Sequence, residues 1–340
     1  MSKFEYKIDI IYDALTYLSN INISEYFLDP SSYKKIFHIG RSKIRSLFGD
    51  DIELPSVACP HLAYGHLSCL GAEVIFPENS DPSMRPFITS IDEGIEKLIR
   101  DIDFSTNSLF NNHISFYNYL KKEFPEHKVS FSGFGCEGPI TTAVLMRGQD
   151  FFMDLYDEPL KVKEFLKLLT NSIVSFKQFI RSINGLSKID YEVGGLADDF
   201  ASMIPPKLWQ DFVIPYWEQY YTGVTIGKRR LHVENLLSDH LKFLNDCKIE
   251  FYDPSVSSKL MPQIIKENVD IPFSWLLPTF ELIYMPKEDI EEWVNKSFEN
   301  GASLIHTEVS KLMCENDNYI KIIDFINAAN RYRKGVSNVV

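Results

Sequence analysis

The sequence predicts an α/β fold of the (β/α)8 TIM-barrel type, a single domain with extra N-terminal helices. Strand-like and helix-periodic segments alternate along most of the chain, the pattern of parallel strands joined by crossover helices. A chain of 340 residues is an ordinary size for one such barrel with additions. The competing doubly wound sheet is less well supported: no Gly-x-Gly-x-x-Gly follows the first strand, the one present at Gly133–Gly138 coming far along the chain, and no Gly-x-x-x-x-Gly-Lys-Ser/Thr occurs. With no internal repeat and no linker, residues 1–50 read as a helical segment packed on a barrel of residues 51–340.

Taken in order, Ile8, Ile11, Leu15 and Leu18 recur at helical spacing, and Asp29-Pro30 opens a second helix through Tyr33, Ile36, Ile44 and Leu47. Strands are expected at Leu54–Ala58 and Ala72–Phe76, and helices at Ile91–Arg100 and Ile114–Phe124. Val129-Ser130-Phe131 is strand-like and leads into Gly135-Cys136-Glu137-Gly138-Pro139, from which a helix starts at Glu137. The clearest helix runs from Pro159 to Ile183, with Phe165, Leu169, Ile173, Phe176 and Ile180 on one face. Strand ends follow at Tyr191–Gly194, Arg230–His232, Ile249–Tyr252, Pro272–Leu276 and Ser303–Ile305. Helices begin between them at Pro205-Pro206, near Leu241, and at Ile290, and a last one spans Tyr319–Arg331.

The bulk composition narrows the partners. Thirty-five basic against forty-seven acidic residues give a net charge of −12, which argues against nucleic acid and an anionic membrane surface. Five scattered cysteines without a CxxC pair, and no signal-like N-terminus or bilayer-length apolar run, lead us to expect a reduced, cytoplasmic protein. Twenty-five Phe and seventeen Tyr supply a large core and an aromatic-walled pocket for a small-molecule substrate. An oligomer is compatible with all of this.

In a barrel the chemistry gathers at the carboxyl ends of the strands. The residues so placed are His61 and Tyr64, Glu137, Asp198 and Asp199, His232 and Glu234, Asp253, Trp275, and His306 with Glu308. His232 and Glu234 are two apart at a strand end, so both side chains point one way and could share an ion or a proton. A hydrogen-bonded pair is the plain alternative. Adjacent carboxylates alternate in direction, so only one of Asp198 and Asp199 is expected to face the pocket, unless one caps the helix near Pro205. Cys59-Pro60-His61 is a weaker candidate, because such a cysteine is more often a small core residue.

The junction Gly135-Cys136-Glu137-Gly138-Pro139-Ile140-Thr141, with Leu155-Tyr156-Asp157-Glu158-Pro159 after it, resembles the uroporphyrinogen decarboxylase superfamily. That superfamily includes zinc-dependent methyltransferases that move methyl groups from corrinoid proteins to thiols or folates. The resemblance implies the barrel and places Leu231-His232-Val233-Glu234 where those enzymes carry a zinc-binding His-x-Cys pair. Glu234 stands here for the cysteine of that pair, and the third ligand, also a cysteine, falls near Val309, where His306 or Glu308 would have to substitute. The resemblance thus implies a divalent metal, zinc, on His232, Glu234, His306 and Glu308. Catalysis would fall to Asp198, Asp199, Glu137 and His232, with the cofactor against His61, Tyr64, Asp253 and Trp275.

True decarboxylases of the family bind an eight-carboxylate tetrapyrrole through an Arg-Gln-Ala-Gly-Arg segment. Asp51–Pro60 here contains no Arg or Lys, so the methyltransferase branch is the better likeness. The expected activity is metal-assisted methyl transfer between a small donor, tetrahydrofolate or a thiol and a corrinoid protein. The alternatives are a decarboxylase or lyase, which would need Arg85, Arg147 and Arg229 to converge, and a non-catalytic barrel that binds a corrinoid or pterin.

Overall fold

A computed structural model of the chain describes residues 4–337. Its strands are β1 Glu5–Ile10, β2 Val74–Ile75, β3 Ser83–Met84, β4 Val193–Ala197, β5 Lys228–His232, β6 Phe251–Asp253, β7 Ser274–Leu276 and β8 Leu304–Val309. The protein is mixed α/β, with helices between most strands. The chain divides into two compact units, one built from the residues up to 56 together with those from 252 onward, the other from residues 57–251.

In the first unit β8 lies between β1 and β7, and both pairings are parallel. β1 and β8 match along their full length, from Glu5 opposite Leu304 to Ile10 opposite Val309. A parallel bridge from Tyr252 to Phe273 adds a further position beside β7. Helix Pro30–Phe48 starts where predicted, because the Asp29 carboxylate accepts from the amides of Ser31 and Ser32 and Pro30 has no amide to satisfy. Helices Lys287–Glu299 and Tyr319–Ser337 pack against each other.

In the second unit Leu62 bridges Phe134 in parallel, and the Gly138 amide donates to the Ala197 carbonyl at 2.6 Å. β4 and β5 then pair in parallel, Val193 opposite Lys228 through Ala197 opposite His232. Helix Pro159–Ile183 has the predicted limits and buries Val162, Phe165, Leu166, Leu169, Ile173 and Phe176. It packs against helices Ile91–Ile99 and Ile214–Val224. Four large rings, Trp209, Trp217, Tyr220 and Tyr221, are fully buried beside it.

Several expected elements differ. The first fifty residues are not all helical, since Ile8 lies in β1 and the helix begins only at Tyr12. Tyr6-Lys7-Ile8-Asp9-Ile10 alternates as well as it repeats at three to four, and pairing with β8 selects the strand. Leu54–Ala58 and Val129–Phe131 form no strand; beyond the second, the chain makes a single parallel bridge, Leu62 to Phe134. Ala72–Phe76 shortens to β2, paired antiparallel with β3. The helix expected from Glu137 starts at Pro139. That expected from Pro205 breaks into a 3-10 turn, Pro206–Leu208, and helices Trp209–Phe212 and Ile214–Val224, the last with Pro in its first turn. Among the described residues no helix is long and apolar enough to cross a membrane.

Candidate active site

The junction after Phe134 builds one wall of the site. Gly138 caps helix Pro139–Arg147, whose first turn has free amides. Asp198, at the end of β4, fills that need from across the chain: its Oδ1 accepts from the Thr141 amide at 2.7 Å and its Oδ2 from the Ile140 amide at 3.3 Å. The Trp217 indole also donates to Oδ2, at 2.7 Å. A Cβ on Gly138 would lie 2.5 Å from Asp198 Cβ and Cγ, so only glycine allows this approach. Asp198 is fully buried, and burial pushes its carboxyl up to about 6 against the opposing hydrogen bonds. It is therefore a structural acid, not the open catalytic group expected, and the helix it caps is Pro139–Arg147, not the one near Pro205.

Asp199 goes the other way. Its Oδ1 accepts from the Glu234 amide at 3.0 Å and lies 3.6 Å from His232 Nε2. The acid–imidazole pair thus joins the ends of β4 and β5, both half-buried. Glu234 meets Asp199 through its backbone, and the turn continues with Asn235 at φ 56°. Glu137 completes the set. Burial, then the carboxylates of Asp199 and Asp198, push its carboxyl up to about 7, while His232 draws it down. Burial and the charges of Glu137 and Asp81 raise Tyr64 in turn. Glu137 is thus within electrostatic reach of Tyr64, Asp199 and His232, a centre in which one carboxylic acid is half-protonated near neutral pH.

His61 belongs to the same unit, at a different neighbour. Burial of its ring and then the Lys177 ammonium lower its pKa. Cys59 is buried, and burial raises its thiol to about 11, so the Cys-Pro-His loop holds no thiolate.

The other expected residues lie in the first unit. His306 and Glu308 share a face of β8 with Lys7 and Asp9 of β1, by register. His306 Nδ1 is 3.8 Å from Asp9 Oδ2, and its buried Nε2 has no hydrogen-bond partner. Burial and the charges of Asp9 and Asp13 raise Glu308, and His306 opposes them. Trp275 stands opposite Ile305 and so faces away from His306 and Glu308. Asp253 Oδ1 accepts from Ser274 Oγ of β7 at 2.6 Å and from the Ser255 amide of its own turn at 3.1 Å.

The four expected metal donors fall two in each unit, His232 and Glu234 in one and His306 and Glu308 in the other. Among the described residues no three His, Cys, Asp or Glu side chains are grouped so as to hold a metal ion. Nor do the arginines converge: Arg147 binds Asp150 and Asp154, Arg229 binds Glu218, and Arg85 is exposed.

The sequence pattern of uroporphyrinogen decarboxylase (URO-D) matches residues 59–302, well over half of the chain. The chain belongs to the URO-D family. A URO-D family chain with this geometry also has a solved structural relative, a methyltransferase from Methanosarcina mazei. It is 15% identical, with a TM-score of 0.68 over 98% of this chain and 95% of that one. At that identity the likeness speaks for the fold. No curated protein matches the sequence. This URO-D member also uses residues that motif reading passed over. Trp217 anchors Asp198, and Lys177 faces His61. Lys177 had a signal: it falls four residues after Ile173 and three before Ile180, on the apolar stripe of its helix.

Proposed function

We propose that the protein is a methyltransferase-type enzyme of the URO-D family, in which Glu137 manages the proton of the reacting heteroatom. Family membership and the fold of the methyltransferase relative support the class. The observation that carries the reading is Glu137, a carboxyl held up to about 7 beside the Asp199–His232 pair. Methyl transfer from an oxygen or nitrogen donor needs such a group. As the acceptor's electron pair forms its bond to the methyl carbon, the old bond breaks and its electrons stay on the heteroatom. That atom takes the Glu137 proton, so no free alkoxide or amide anion is released. The new Glu137 carboxylate then faces Asp198 and Asp199, which favours its reprotonation for the next cycle. Asp199 orients the His232 ring, and Tyr64 borders the same space. The proposed acceptor is a corrinoid on a partner protein and the donor a small O- or N-methyl compound; run in the opposite direction, the methylated corrinoid would pass its methyl group to tetrahydrofolate or a thiol.

The test is methyl transfer from a panel of small methyl donors to cob(I)alamin, followed by visible absorbance. Glu137→Gln should lower the rate roughly 10²–10⁴-fold. The wild-type rate should fall as pH rises through about 7, as the acid form is lost. No transfer from any donor, or an undiminished rate in the variant, would overturn the reading.

A further inference from the structure

Helix Pro159–Ile183 contributes Lys177 to a pocket of about 140 Å³ within the unit of residues 57–251. Phe134, Phe176 and Ile180 give it apolar walls. Its other polar groups are committed. Arg181 pairs with Asp190, and the Tyr220 hydroxyl donates to the Gly195 carbonyl at 2.6 Å. Among the described residues no carboxylate pairs with Lys177, and the groups its charge reaches are His61 and Cys136. Neither is an anion: burial holds the Cys136 thiol up at about 11, and the His61 imidazole is pushed toward its neutral form. Arg181 and Asp190 cancel, so the pocket carries one uncompensated positive charge in a chain of net charge −12. The strand side is cut back to backbone. Gly194, whose Cβ position faces Thr225 and Val224, brings no side chain to it.

We infer that this pocket binds a small monocarboxylate, its carboxylate on the Lys177 ammonium and its apolar body against Phe134 and Phe176. One unpaired ammonium matches one negative charge, whereas a dianion would leave charge uncompensated and a cation would be repelled. The volume sets the size: a cavity of about 150 Å³ accepts benzene, so the body has roughly four to six carbon atoms. The inference goes beyond methyl transfer and stands without it.

The experiment is isothermal titration of the full-length protein with butyrate, benzoate and the neutral isostere butyramide, without methyl donor or acceptor. Both carboxylates should bind saturably, and butyramide at least tenfold more weakly. Lys177→Met should weaken carboxylate binding at least tenfold. Lys177→Arg, which keeps the positive charge, should retain carboxylate binding within a few-fold, and Lys177→Gln, which removes it at similar length, should lose it as Lys177→Met does. Equal binding of butyrate and butyramide, no binding of either carboxylate, or wild-type affinity in Lys177→Met overturns the inference. Should Lys177→Met fail to fold, Lys177→Gln decides: retained affinity there overturns it. Because no turnover is read, failure of the methyl-transfer proposal leaves this test intact.

Discussion

Glu137 titrates near 4.5 when free and at about 7 in the folded protein, raised by burial and by Asp199 and Asp198. Between those values the native state keeps a proton that the unfolded chain has lost. Stability from this group is therefore whole below about 4.5, falls as pH rises toward 7, and is fully lost above it. Each pKa unit corresponds to about 1.4 kcal/mol, so the alkaline cost is roughly 3 kcal/mol. Glu137→Gln removes the titration. Its urea midpoint should exceed the wild type's at pH 8–9 and coincide with it near pH 4; a separation that does not change with pH would refute the raised carboxyl. The same variant is thus expected to be stabler and slower, the usual trade at an active site. That Glu137, Asp199 and His232 lie near one another could be expected from the sequence, because each follows a glycine junction or a strand end. Asp198 was misread, because which of two adjacent carboxylates turns inward depends on strand register, and nothing local fixes that.

At the scale of elements, the junction between helix Pro139–Arg147 and β4 is held by Asp198 and admitted by Gly138. Asp198→Ala would strand the Ile140 and Thr141 amides and the Trp217 indole N–H in the interior. Removing the acceptor of such a buried cluster costs about 3–5 kcal/mol. Asp198→Asn keeps an acceptor oxygen and should lose less, which equilibrium denaturation of the two variants will rank. Gly138→Ala should be nearly as damaging as Asp198→Ala, since the added Cβ falls 2.5 Å from Asp198. Gly195→Ala, with open space at its Cβ, should be close to neutral. Equal effects of the two glycine substitutions would count against the close approach. Helix Pro159–Ile183 could be read to its ends because one long apolar stripe and Pro159 define it. The short segments around Leu62 and Phe134 could not. Each makes one bridge, and strand character that thin comes from the neighbouring chain and not from local propensity.

At the scale of the whole molecule, the two ends of the chain meet in one sheet: β1 supplies the only described strand opposite β8 on the side away from β7. Six residue pairs join them, with Ile8 and Thr307 buried at the centre. Phe4 stacks edge-on against Phe298, and the Tyr6 hydroxyl donates to Asn330 Oδ1 at 3.3 Å, so helices from the far end of the sequence rest on the first strand. This closure is what the helical reading of the N-terminus missed. Deleting residues 1–10 would expose the hydrogen-bonding edge of β8 and uncover the apolar side chains under β1, the condition under which edges pair between molecules. The shortened chain should unfold at a lower urea concentration than the intact one and aggregate on refolding. Helix Pro30–Phe48, which caps itself through Asp29, should keep its own ellipticity in peptide form no better than any isolated helix of that length. Placing residues 1–10 in trans as a free peptide should restore part of the lost midpoint. If the deletion leaves both midpoint and solubility unchanged, the pairing of β1 with β8 contributes nothing to the fold, and the N-terminus is an appendage after all.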